Sequence, residues 1–229
     1  MKKSILIICL ILFTISSLFA QNNESVKVKA GTRIIDYFPI AERYLYSDFT
    51  EGKAILTNDR DIPSIYNYNF LTGEMEFIKS NDTLFITNKK DLSSMVVAQD
   101  TFYYHSGYLQ LIRSGRFKVY LKQSIALKDI LKKGAMGTIN RSAASQSYDY
   151  LLADGLSKDM VADVDIVLQK TEVYFFSTAG EEFIPFNKKN LIKIMPENKN
   201  FIMNYIKLKK TDFKTREDVL NLADYLSKL

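Results

Sequence analysis

Two glutamates, Glu74 and Glu76, have the residue type and the spacing that acid–base catalysis by paired carboxyl groups requires. A pair of carboxyl groups can act as acid and base in glycoside hydrolysis when the groups lie about 5–10 Å apart. Alternate residues of a β-strand are about 6.6 Å apart, so the pair meets this requirement. Alternating charges are also the ordinary solvent face of an antiparallel strand. We therefore predict no catalytic residues and keep a hydrolase with paired carboxylates as a distant alternative.

The only histidine, His105, follows two tyrosines and precedes a serine and a glycine. A nucleophile activated by histidine would need that nucleophile within reach and an oxyanion hole, and no G-x-S-x-G motif supplies them. A histidine at the point where a strand enters a turn is usually a surface residue. We predict that His105 lies at the surface and has no catalytic role.

Metal ligands are scarce in this sequence. A zinc site needs several histidine or cysteine ligands, and the only cysteine, Cys9, lies in an apolar N-terminal run. The oxygen-rich segment 58–61 lacks the spacing and the closing glutamate of a calcium-binding EF-hand loop, so it predicts a turn. The sequence thus predicts neither a metal site nor a cofactor.

Aromatic residues offer the best candidates for a binding site, in a chain with 14 tyrosines, 15 phenylalanines and no tryptophan. The candidate ligand-binding residues are Tyr66, Tyr68, Phe70, Tyr104 and Tyr108. Their rings could line a cleft in which the tyrosine hydroxyls orient a polar group of the ligand. The same residues could equally form one buried face of a sheet. The sequence leaves the cleft and the filled core open as alternatives.

The first 20 residues have the pattern of a secretory signal peptide. Lys2 and Lys3 precede an apolar run over residues 4–19, and Ala20 is followed by polar residues. A retained membrane anchor is the alternative, but the run is short for a spanning helix, which needs about 20 residues. We predict cleavage after Ala20 and export to the periplasm, the outer membrane or the exterior, with no transmembrane span left in the mature chain.

The charge of the mature chain limits its possible partners, and its cysteine content limits its possible disulfides. The full chain carries a net charge of +5, and loss of Lys2 and Lys3 leaves 29 basic against 26 acidic residues, or +3. This weak charge and the predicted export argue against a nucleic-acid partner. Lysine runs at 132–133, 188–189 and 209–210 are predicted to be solvated faces. Cys9 leaves with the signal, so no disulfide stabilises the mature chain.

The candidate residues lie in or near a predicted three-stranded meander over residues 64–88, with turns at 71–73 and 80–82. Apolar and polar residues also alternate elsewhere with a period of two, which predicts that residues 26–127 and 160–186 are mainly strands. Those outside the meander are expected at 43–49, 53–56, 95–98, 101–104, 108–112, 116–122, 164–169 and 171–176. In the strand 116–122, Phe117, Val119 and Leu121 are expected inside, and Lys118, Tyr120 and Lys122 in solvent.

Two later regions depart from the strand pattern. Residues 134–156, rich in glycine, serine and alanine, predict a loop with one helical turn at 148–152. Residues 190–229 have a helical period and predict three helices: one ending before Pro196, one from Pro196 to about Lys209, and one capped by Thr215. Asp218 is expected to complete a capping box with Thr215. The expected buried stripes of the last two helices are Phe201, Ile202, Tyr205 and Leu208, then Val219, Leu222, Ala223 and Leu226.

The predicted fold is therefore a single α+β domain over residues 21–229. We expect an antiparallel, curved or sandwich-like β-meander with C-terminal helices packed on it.

Several short motifs carry a resemblance to a known family. They are Arg43-Tyr44-Leu45-Tyr46, Phe49, Gly52, Asn67-Tyr68-Asn69, Glu74-Met75-Glu76-Phe77-Ile78, Asp82-Thr83, Phe102-Tyr103-Tyr104, Gly134-Ala135-Met136-Gly137, Phe183-Ile184-Pro185 and Lys188-Lys189. With them, most of the mature chain resembles a family of secreted proteins from Bacteroidetes-type bacteria that has no assigned activity. The chain departs from that family's pattern at Met136, where tyrosine is more common. The resemblance implies an exported or envelope protein and no catalytic residues.

The leading functional expectation is an exported, non-enzymatic cell-envelope or interaction protein whose partner is an unknown envelope protein or a small ligand. A carrier of an apolar or glycan-like ligand in the concavity of the sheet is the alternative. A deep apolar cavity would favour the carrier, and a filled core the interaction protein. Asp82-Thr83-Leu84 resembles a short bacterial O-glycosylation acceptor.

Overall fold

The computed structural model describes residues 25–133, 139–143, 161–162, 164–178 and 182–229. The predicted signal peptide at 1–20 and the helical turn at 148–152 lie outside the described residues. The fold is α+β, as predicted, with an antiparallel sheet and C-terminal helices.

One sheet contains all twelve strands of the described chain. They are β1 (Ser25–Val28), β2 (Thr50–Leu56), β3 (Asp61–Asn69), β4 (Glu74–Lys79), β5 (Asp82–Phe85), β6 (Leu92–Val97), β7 (Asp100–Tyr104), β8 (Tyr108–Arg113), β9 (Lys118–Lys133), β10 (Ile139–Ala143), β11 (Asp165–Ser177) and β12 (Ile184–Pro185). Their order is β1-β11-β9-β8-β7-β6-β2-β3-β4-β5, with β10 beside β9 and β12 beside β11.

Five α-helices accompany the sheet in the described residues. They are α1 (Ile34–Tyr37), α2 (Ile40–Arg43), α3 (Lys188–Ile194), α4 (Lys199–Lys209) and α5 (Arg216–Leu226). Two short 3-10 turns occur at Lys89–Asp91 and Pro196–Asn198. None of the described helices has the length and apolar character that a membrane crossing requires.

The central meander forms as predicted from β3, β4 and β5. Gly73 makes the first turn with a φ of +68°, a conformation that costs glycine least. Tyr66 lies opposite Phe77 in the β3–β4 register, so these two rings share one face of the sheet. Tyr68 and Phe70 follow on that face, which we call the inner face because it carries the first hydrophobic core.

The sheet curls strongly around this inner face. Strands β3 and β9 are separated by four others in the sheet order, yet the Ile125 amide donates to the Phe70 carbonyl oxygen over 2.8 Å. The Tyr68 hydroxyl donates to the backbone oxygen of Gln123, also over 2.8 Å. These contacts close the first core between the meander and the long strands.

The long strands β9 and β11 support two cores on one face. At one end, Val119, Leu121, Tyr174 and Phe176 contact the C-terminal helices through Leu191, Ile202, Val219, Leu222 and Leu226. At the other end, Ile125, Ile166 and Leu168 belong to the first core. Between the two cores, the Gln123 side chain donates to a Glu172 carboxylate oxygen over 2.9 Å. The prediction that the helices cover the apolar face of strand 116–122 is confirmed.

Several predicted strand bounds are wrong. The strand expected at 116–122 continues to Lys133, and β10 pairs with it inside the expected loop 134–156. The strands expected at 164–169 and 171–176 are one strand, β11. Lys170, which lies between the two expected strands, is part of β11, and its ammonium group is 3.8 Å from the centre of the Phe70 ring. A cation over an aromatic face is favourable, so the charge does not end the strand.

The segment expected as a strand at 43–49 also differs. Helix α2 ends at Arg43, Tyr44 makes a single bridge to Asn69, and residues 45–48 bend. The buried Asn67 amide accounts for this path. It accepts from the Tyr46 amide at 3.0 Å and donates to the carbonyl oxygens of Tyr46 and Asp48, in place of a backbone ladder.

Four side-chain predictions fail in or beside the C-terminal cover. Tyr120 is buried against the rings of Tyr103 and Phe183 rather than solvated. Phe201 and Leu208 are exposed rather than part of the buried stripe. The Thr215 side chain makes no cap. The Asp218 carboxylate accepts from the amide of Asp212 and does not complete a capping box.

Candidate functional site

The connection from β5 to β6 builds a concave, mainly apolar site on the sheet. β5 is the edge strand, and β6 lies beyond β4, β3 and β2, so the connecting residues 86–91 must cross the meander. We call them the strap. Its far end is fixed where the Thr57 amide donates to the Asp91 carbonyl oxygen over 2.9 Å. The crossing leaves a cleft between the strap and the inner face.

This cleft has a volume of about 580 Å³ and a mainly apolar lining. Its apolar wall includes Ala54, Leu56, Ile62, Tyr66, Phe77, Ile86 and Leu92. Lys79, Asn88 and Asp91 add polar groups to the lining. Lys79 is exposed and makes no ion pair with a described residue, so its charge is available to a ligand. The size and lining are those of sites that bind small molecules, about 300–1,000 Å³.

The aromatic residues predicted to bind a ligand separate into two groups. Tyr68, Phe70, Tyr104 and Tyr108 pack together, with centroid distances of 5.6 Å for Tyr68–Phe70, 6.2 Å for Tyr68–Tyr108 and 5.2 Å for Tyr104–Tyr108. Tyr66 lies beside Phe77, 6.0 Å between ring centroids, and lines the cleft. A role for all five in ligand binding stays a prediction, and Tyr66 is the member with access to the cleft.

A small polar cluster lies at the other side of the strap. Lys89 of the strap forms a salt bridge with Glu74, and its ammonium group is 5.3 Å from the centre of the Tyr104 ring. Burial raises the pKa of the Glu74 carboxyl, and the hydrogen bond and charge of Lys89 oppose that shift. The salt bridge therefore ties the strap to the first residue of β4.

Two buried oxygens near this cluster have no hydrogen-bond partner among the described residues. They are Oε2 of Glu74 and the hydroxyl of Tyr108. Burial raises the pKa of Tyr108, and the negative charge of Glu74 adds to the shift. Unsatisfied buried polar atoms are rare in folded proteins, so these two oxygens are exceptional among the buried polar groups of the described residues.

The paired carboxylates do not form the predicted solvent face. Glu76 accepts hydrogen bonds from the Tyr44 hydroxyl at 2.5 Å and the Asn69 amide at 2.9 Å, which anchor the segment before β2 to the meander. Glu74 is engaged by Lys89. Neither residue lines the cleft. Both carboxylates thus have structural partners in the fold.

The other candidates of the sequence lie away from the cleft. His105 is exposed, as predicted, with its ring 5.4 Å from that of Phe183. In the predicted turn at 58–61, Asp61 pairs with Lys53 at 2.6 Å rather than joining a cluster of oxygens. Within the described ranges, no three histidine, cysteine, aspartate or glutamate side chains are grouped so that they could hold a metal ion.

Sequence reasoning missed the strap and therefore most of the cleft. The polar run from Thr87 to Asp91 reads as an ordinary loop. Its role depends on the sheet order, which places β6 beside β2 and not beside β5. A clue was present in the length of the connection, since neighbouring strands of a meander are usually joined by 2–5 residues.

Comparison with known proteins identifies no relative: no family model, no curated protein and no solved structure matches this chain.

Proposed function

We propose that this protein is a non-enzymatic carrier of the cell envelope that binds a small, mainly apolar ligand in the cleft under the strap. The observation that carries the proposal is the cleft of about 580 Å³ with apolar walls and few polar groups. Such a lining favours a ligand by removing apolar surface from water, at about 25 cal/mol per Å². The polar groups then orient the ligand, with Lys79 suited to an anionic or strongly polar end.

Export completes the proposal and rests on the signal-like residues 1–20. A carrier of apolar molecules is useful in an aqueous compartment bounded by membranes, where such ligands are poorly soluble. The meander supplies one wall of the cleft and is held by strand pairing. The strap supplies the cover and is held by its contacts with Thr57 and Glu74, so the ligand would contact two separately anchored elements.

The test is binding of a neutral fluorescent apolar probe, N-phenyl-1-naphthylamine, to the purified mature protein, followed by the increase in the fluorescence of the probe. Thr87 is exposed and lines the cleft, so Thr87→Trp should fill the cleft and abolish the increase in fluorescence. The matched control is Thr83→Trp, an exposed threonine on β5 outside the cleft, which should bind the probe like the wild type. Equal probe binding by both variants would reject the cleft as the site.

Native mass spectrometry of the protein purified from its own envelope gives the second arm. A co-purifying small molecule that is absent from the Thr87→Trp variant supports the carrier. A co-purifying protein, with no small molecule and no probe binding, would instead favour the interaction protein.

A further inference from the structure

The charge of this protein is concentrated in one segment of the C-terminal cover. Residues 188–210 contain seven lysines and one acidic residue, Glu197, which gives a local net charge of +6 against +5 for the whole chain. None of the seven lysines forms an ion pair with a described residue. The segment contains α3 and α4, so the charge lies on the helices and not on the sheet.

Helix α4 adds exposed apolar side chains to this charge. Phe201 is 56% exposed and Leu208 is 80% exposed, the highest value of the exposed large hydrophobic residues in the described chain. Seven residues are nearly two helical turns, so the two side chains lie on one flank, about 10.5 Å apart along the axis. Ile202 is fully buried against the second core, so this flank points away from the sheet.

Two lysines of α4, Lys199 and Lys207, lie on the other solvent-exposed flank of the helix, about 150° around its axis from Phe201 and Leu208. Lys199 and Lys207 are eight residues apart and exposed, with Met203, 38% exposed, between them. Asp218 and Asp224 line a groove beside Tyr205 and Lys209, between α4 and α5. The outer surface of α4 therefore combines lysines with apolar side chains and contains no carboxylate.

We propose that the outer surface of α4 docks on an anionic lipid surface. Lysines near such a surface contribute to binding through attraction to the lipid headgroups. Exposed aromatic and aliphatic side chains on the other flank of the helix enter the boundary between headgroups and acyl chains, while the lysine side chains extend to the charged headgroups. An acidic protein would satisfy the lysines but would leave Phe201 and Leu208 without a matching environment.

Vesicle co-sedimentation of the mature protein tests this proposal. Vesicles of phosphatidylglycerol and phosphatidylcholine in equal parts should bind the protein, and vesicles of phosphatidylcholine alone should not. Lys199→Gln with Lys207→Gln should weaken binding by about 30-fold, since each lysine contributes about fivefold. Phe201→Ser with Leu208→Ser should also weaken binding. All four side chains are exposed, so the variants should melt like the wild type.

The control is Lys29→Gln with Lys128→Gln, which removes the same charge from two exposed lysines of the sheet region. Its binding should stay within about twofold of the wild type, because these lysines lie outside the proposed surface. The proposal is overturned if anionic vesicles do not bind the wild type, if both vesicle types bind it equally, or if the control and the α4 variants lose binding to the same extent. These outcomes leave the probe-binding test of the cleft unaffected.

Discussion

Replacing Leu222 by alanine tests whether the C-terminal helices are an integral cover of the sheet. Leu222 of α5 is fully buried in the second core, with Val119 and Leu121 of β9 in the same cluster. A buried leucine-to-alanine change costs about 2–5 kcal/mol. At roughly 2–4 °C for each kcal/mol in a chain of this size, the melting temperature should fall by about 4–20 °C.

The matched control is Leu208→Ala in α4, which makes the same chemical change at a side chain that is 80% exposed. Its free energy of unfolding should stay within about 0.5 kcal/mol of the wild type. Both variants are measured by thermal melts followed by circular dichroism and by urea unfolding. Equal melting temperatures for Leu222→Ala and Leu208→Ala would refute the reasoning, because the helices would then be a separate module.

Three further predictions concern the polar cluster, a close approach in the sheet and the N-terminus. Burial raises the pKa of Glu74, so this carboxyl favours the folded state below its unfolded pKa and loses that contribution as pH rises through the folded value. The stability of the wild type relative to Glu74→Gln, from urea melts, should therefore fall as the pH rises above the ordinary pKa of a glutamate, about 4.3; a flat difference contradicts this. Gly52→Ala should cost about 1–3 kcal/mol in thermal melts, because its Cβ would lie 2.5 Å from the Val96 carbonyl oxygen; an unchanged melting temperature would count against it. N-terminal sequencing of the mature protein should begin at Gln21 or within a few residues, and an uncleaved chain in the membrane fraction would disprove cleavage.

Local patterns predicted the elements that local forces determine. The alternation from Tyr66 to Phe77 gave the meander, and Leu191 to Pro196 gave the end of the first C-terminal helix, since both depend on neighbours in the sequence. The continuity of β11 through Lys170 was not predicted, because the Phe70 ring that receives its charge is distant in sequence. Phe201 and Leu208 fit the apolar stripe of a helix as well as the buried Ile202 does. Only the position of the sheet decides which flank of α4 is covered.

The candidate site was harder to predict, for the same physical reason. The five aromatic candidates were identified from their residue types and from the period of the strands. Tyr66 and Tyr68 share one face of β3, but Tyr66 lines the cleft beside the strap and Tyr68 does not. The cleft is set by the order of strands, and the only local sign that β5 and β6 are not neighbours is the length of the connection between them. The unpaired hydroxyl of Tyr108 likewise depends on a fold-wide packing arrangement.

The long strands β9 and β11 have a consequence for how the protein opens. Each strand carries residues of both cores on one face, so separating the pair would disrupt both cores together. Local openings can release the strap or the helix ends, but the amides shared by β9 and β11 exchange with solvent only when the whole chain unfolds. In deuterated water, these amides should be the slowest to exchange, and their rates should report one common opening free energy from Val119 to Ile130.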